Sequence, residues 1–88
     1  MEGGRLSRLE FLVLSILETN EAISRFTGMT SYEIATADQL GYKENTIYKQ
    51  LKLFEKNGFV QTGAKDGKSL TFYITDLGKC KLREEKLK

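Results

Sequence analysis

The sequence predicts a single α+β domain made of a three-helix core, a β-hairpin and a short C-terminal helix. Three observations carry this. Apolar residues recur at helical spacing over 6–18 and 44–54, glycines stand where helices must stop, and two runs rich in branched and aromatic residues flank an Asp66-Gly67 turn signal. With 88 residues, 40% hydrophobic, 30% charged and no proline, the whole span 1–88 fits one folded domain rather than a disordered tail.

Each element has its own signal. In Leu6–Glu18, Leu9, Leu12, Val13, Ile16 and Leu17 follow one another three or four residues apart and line one helical face, the core face. Phe11 and Leu14 point away from that stripe and are candidates for a contact with a second copy, together with the last helix; the alternative is scattered exposed apolar residues. Thr27-Gly28-Met29 breaks the helical pattern and leaves room for a short strand. Thr30-Ser31-Tyr32-Glu33 has the form of a capping box and opens a second helix that runs from Ser31 to about Leu40, where Gly41 turns the chain. A third helix starts at Lys43 or Glu44. It buries Ile47, Leu51 and Phe54, with Val60 beyond it, and stops at Asn57-Gly58. Residues 59–62 and 70–75 form the hairpin strands, and Asp66-Gly67 suits a turn of positive φ. Asp76 then caps a final helix with Leu77, Cys80 and Leu87 as its apolar edge.

Composition removes several function classes. There is no histidine, so the commonest general base and metal ligand are missing, and the single Cys80 can build neither a zinc site nor an internal disulfide. Within its periodic segment Cys80 is expected to be a packed core thiol. The carboxylate pairs Glu84-Glu85 and Glu18/Glu21 lie in charge-rich helical settings and read as solvated faces. Neither an enzyme nor a metal or cofactor site is expected. The longest apolar run, Phe11 to Leu14, is far too short for a bilayer, and Met1–Arg5 carries no apolar leader, so a cytoplasmic location is expected.

The net charge of +2 is unevenly distributed. Residues 1–42 set Arg5, Arg8 and Arg25 against six acids, whereas 43–68 set six lysines against Glu44, Glu55 and Asp66, and 79–88 set five basic residues against two acids. The basic charge therefore gathers on the third helix, the hairpin tip and the end of the chain, as a nucleic-acid footprint would require. Between the second and third helices, Ala37 stands four residues before Gly41 and Ile47 six after it. A small residue for close approach, a glycine for the bend and an aliphatic plug are the needs of a helix-turn-helix that projects its second helix into a major groove.

Thr30–Lys79 resembles the winged helix-turn-helix transcriptional regulators, the PadR and MarR groups above all. The matching elements are Ser31-Tyr32-Glu33-Ile34, Thr46-Ile47-Tyr48-Lys49-Gln50-Leu51, the stretch from Leu53 to Val60, and the stretch from Tyr73 to Lys79. The resemblance implies double-stranded DNA as partner, a homodimer on a roughly palindromic site, and a repressor-like role. PadR and MarR regulators usually have long terminal helices and often a small-molecule pocket. The last helix here has about a dozen residues, so no small-molecule effector is expected.

On this reading Asn45, Thr46 and Lys49 face base edges: asparagine pairs with adenine, the threonine methyl meets a thymine methyl, and lysine reaches guanine acceptors. Lys43, Lys52, Lys65 and Lys68, with Ser31 and Tyr32, face the sugar-phosphate backbone. Tyr48 either packs on the wing or offers its hydroxyl to a phosphate. Two alternatives remain: a winged helix used for protein interaction, against which the lysine-rich third helix argues, and a plasmid or virus protein acting at replication or partition sites. RNA binding ranks lower, because Phe72 and Tyr73 alternate faces and offer no stacking platform.

Overall fold

The computed structural model describes residues 6–37, 41–65 and 67–86. Among them the order is α1 (Arg8–Thr19), β1 (Met29–Thr30), α2 (Ser31–Ala37), α3 (Glu44–Asn57), β2 (Val60–Thr62), β3 (Thr71–Ile74) and α4 (Asp76–Lys86). The strands form one antiparallel sheet of order β1-β3-β2, with Met29 opposite Phe72 and Val60 opposite Ile74. This α+β architecture matches the expected one, short strand included. No described helix is long and apolar enough to cross a membrane. Asp38–Leu40, Asp66 and Leu87 lie outside the described residues, and with them the expected end of α2, half of the turn pair and part of the expected α4 edge.

α1 begins at Arg8 because Ser7 caps it. The Ser7 hydroxyl accepts from the Glu10 amide at 3.2 Å, and the Glu10 carboxylate accepts from the Ser7 amide at 2.7 Å. Leu14 corrects the sequence reading. It is fully buried with Val13, Ile16 and Leu17, so it cannot meet a second copy. α1 packs against α2 and β3 and also against α4, and this third neighbour covers a side of the helix that a single apolar stripe would leave in water. Phe11 is half-buried against the same core.

The capping box at Thr30 forms as expected: Glu33 accepts from the Thr30 amide at 2.9 Å and Thr30 accepts from the Glu33 amide at 3.1 Å. Gly41, at φ +83°, makes the bend that a residue with a Cβ adopts only under strain. Ile47 is fully buried in the angle between α2 and α3, but Ala37 is exposed, and Ala35 is the small residue packed against the core. α3 ends at Gly58, also left-handed, where the Phe59 amide returns to the Phe54 carbonyl at 2.9 Å. Its inward residues Ile47, Leu51 and Phe54 meet Val60, Phe72 and Ile74 of the sheet in one core.

α4 departs from the expectation twice. Its cap is Thr75, whose hydroxyl accepts from the Gly78 amide at 3.1 Å and donates to the Gly58 carbonyl at 2.6 Å. Its buried edge is Gly78 and Leu82, whereas Leu77 is 54% exposed and Cys80 is exposed. The helix lies so close to Phe59 that a Cβ on Gly78 would collide with the Phe59 carbonyl. The buried side of the helix therefore lies roughly 150° round from the Leu77/Cys80 edge the sequence suggested, almost on the opposite face.

Candidate nucleic-acid interface

The inward face of α3 fixes what its outward face can present. With Ile47, Leu51 and Phe54 buried, Asn45, Lys49, Lys52 and Lys56 fall within one arc on the opposite side, four, three and four residues apart. All four are exposed, and so is Thr46 on one flank. Lys43, in extended conformation just before the helix, is exposed as well. Lys43, Lys49 and Lys56 make no ion pair among the described residues, so their charge is directed at solvent.

Lys52 is tied down. Its ammonium sits 2.9 Å from the Glu55 carboxylate, whose other oxygen accepts from the Thr62 hydroxyl at 2.7 Å. The hydrogen bonds from Lys52 and Thr62 hold the Glu55 carboxyl below the usual carboxylate range, and the bond with Glu55 raises Lys52. This chain of bonds joins α3 to β2 and braces the helix against the hairpin, and it engages the Lys52 ammonium within the protein.

Tyr48 resolves towards packing. Its ring meets Phe72 edge to face, with centroids 6.0 Å apart, yet the residue remains 39% exposed, so the ring braces α3 on the sheet and the rest of the side chain stays at the surface. Tyr48 also lines an open cleft of about 270 Å3 with Ser31, Glu44, Lys68, Ser69 and Leu70. The cleft brings together the starts of α2 and α3 and the basic end of the hairpin. Tyr32, Lys65 and Lys68 are all exposed; Lys68 lines this cleft and Lys65 lines a separate one.

Ser31 is a correction. It is 7% exposed, and its hydroxyl donates to the Glu44 carboxylate at 3.0 Å, so it holds the first residue of α3 rather than facing a phosphate. Nothing in the sequence links two residues that far apart. Lys56, by contrast, repeats the spacing of Lys49 and Lys52 and was legible as part of the stripe. The described residues hold no group of three or more His, Cys, Asp or Glu placed to bind a metal ion.

No protein-family model matches the chain, and no curated protein does. Solved structures do. TubR from Bacillus megaterium pBM400 superposes with a TM-score of 0.75 at 28% identity, over 91% of this chain and 86% of that one. The DNA-binding TubR fragment from Clostridium botulinum superposes at 0.71, again with 28% identity, over 91% of this chain and 96% of that one. A PadR family transcription regulator from Clostridium difficile R20291 gives 0.73 at 24% identity, over 92% and 85%. The chain spans 54% of the length of a MarR family transcription regulator that shares the fold. The fold is that of the winged helix-turn-helix proteins, with α3 in the place of the recognition helix and the β2–β3 hairpin as the wing.

Proposed function

We propose that this winged-helix chain is a sequence-specific DNA-binding protein, acting in the cytoplasm as a homodimeric transcriptional regulator of repressor type. α3 enters the major groove with Asn45, Thr46 and Lys49 on base edges. Lys43, Lys52, Lys65, Lys68, Tyr32 and the exposed part of Tyr48 lie along the backbone. The observation that carries the reading is the stripe Asn45-Lys49-Lys52-Lys56, exposed along the whole outward side of a helix whose other side is locked into the core. A protein-interaction surface on the same helix would be neutral or apolar. The second copy does not use Leu14, which leaves Phe11 and α4 as the surfaces for pairing.

The 28% identity to TubR from pBM400 favours a second reading within the same chemistry, a plasmid or virus protein acting at replication or partition DNA. Titration of mixed duplex and of fragments from the protein's own gene neighbourhood, across a salt series, tests both. Tight, salt-sensitive binding to one fragment is expected, and an Asn45→Ala/Lys49→Ala variant should lose roughly ten- to a hundredfold of that affinity with an unchanged melting temperature. Absence of binding at low salt would sink the proposal and favour the protein-interaction module; the position of the preferred fragment separates promoter from origin.

A further inference from the structure

Arg25 stands in neither the recognition helix nor the wing, but the chain places it beside the wing. Its carbonyl accepts from the Ala64 amide at 2.8 Å, and Gly63 passes so near that a Cβ there would come within 2.7 Å of the same carbonyl oxygen. The Thr71 hydroxyl closes this junction by donating to the Ala64 carbonyl. The segment joining α1 to β1 is thus fixed by its backbone to the base of the hairpin. Arg25 and Lys65 consequently line one open cleft of about 240 Å3 with Phe26, Glu33 and Thr71.

Phe26 is 82% exposed and contributes nothing to the core. The Arg25 guanidinium lies 5.4 Å from its ring centroid. Stacking on an aromatic face orients a guanidinium while leaving the edge N–H donors free, the arrangement that suits a fork of hydrogen bonds to a phosphate. Glu33, the acid among the described lining residues, has one oxygen occupied by the Thr30 amide at 2.9 Å, and among those residues two cations stand against one carboxylate.

We propose that the Arg25–Lys65 cleft binds a phosphate of the duplex beside the wing, with Arg25 making the contact and Phe26 orienting it. The inference rests on the DNA-binding reading. It makes the wing a two-segment device, a hairpin and the loop fastened to its base.

The test is duplex titration of the full chain over a salt series with Arg25→Ala, Arg25→Lys and Phe26→Ala, using melting temperature as the control for folding. Arg25→Ala keeps the backbone bonds that fasten the loop. It should weaken specific and random duplex alike, by about tenfold at low salt, and reduce the salt slope by about one. Arg25→Lys should keep the slope and lose part of the affinity, and Phe26→Ala should lose less than Arg25→Ala. Wild-type affinity and slope in a folded Arg25→Ala variant would overturn the proposal while leaving the parent reading intact, whereas failure of the wild type to bind duplex removes both. The Arg25 side-chain NMR signals should move with duplex, and movement with inorganic phosphate alone but not with duplex would also overturn it.

Discussion

α3 and α4 are lysine-rich helices of similar length, and they dispose of their charge in opposite ways. α3 buries three large apolar residues on one side and leaves Lys43, Lys49 and Lys56 facing water. α4 buries Gly78 and Leu82, and two of its lysines turn back along the helix: Lys79 lies 3.9 Å from Asp76, and Lys81 lies 3.9 Å from Glu84 and 4.0 Å from Glu85. Lys81 is only 16% exposed, its stem lying along the molecule. Composition alone ranks the two as equal polyanion binders. Geometry separates a helix most of whose lysines face solvent from one in which Lys79 and Lys81 are drawn to acids within a turn.

The largest effect expected within this comparison is at Leu82. Leu82→Ala should cost about 3 kcal/mol in denaturant unfolding by opening a cavity in the core, whereas Leu77→Ala, on another face of the same helix and exposed, should stay within about 0.5 kcal/mol. Equal losses would mean that α4 packs in the phase its apolar residues suggested. Next comes Gly78→Ala. Inside an exposed helix that change stabilises by about 1 kcal/mol, but here the added Cβ would meet the Phe59 carbonyl and come within 2.8 Å of Ile74 Cγ1, so a loss of about 2 kcal/mol and a melting point lower by roughly 10 °C are expected.

The smallest effect sharpens the α3 side. Glu55 has a folded-state pKa below its unfolded one, so the stability it contributes is present above the unfolded carboxylate range and is lost as pH falls through the folded value. The stability gap between wild type and Glu55→Gln should therefore narrow as pH is lowered from about 6 towards 3. A gap that stays constant would show that the bonds of the Glu55 carboxylate to Lys52 and Thr62 contribute nothing to stability. Lys52, raised by the same partner, acts at the other extreme and loses its contribution only as pH climbs past the ordinary lysine range.

The sequence made α3 legible because Ile47, Leu51 and Phe54 sample the helical period over two full turns and leave one possible phase, with Gly58 marking the stop. The outward stripe followed from that phase alone. The last helical segment offered four apolar residues, Leu77, Cys80, Leu82 and Leu87, which share no single helical phase and of which Leu87 lies outside the described residues, and a glycine carries no hydropathy signal even when it marks the closest contact of the helix. Leu14 was misplaced for a related reason. How much of a helix is covered depends on its neighbours, and nothing within α1 announces that α4 lies against it. Thr75 and Asp76 are both cap formers, so pattern could not choose between them, and the choice fell to the residue that can also donate to Gly58.

That choice has a cooperative consequence. One hydroxyl group terminates α3, by donating to the carbonyl of its left-handed glycine, and starts α4, by accepting from its third amide. Neither helix end can open without stripping the other of its partner, so the end of the recognition helix and the beginning of α4 form one unit for local unfolding and hydrogen exchange. The C-terminal segment is thereby more than a lid on the hydrophobic core: its docking sets how long the far end of the recognition helix stays wound.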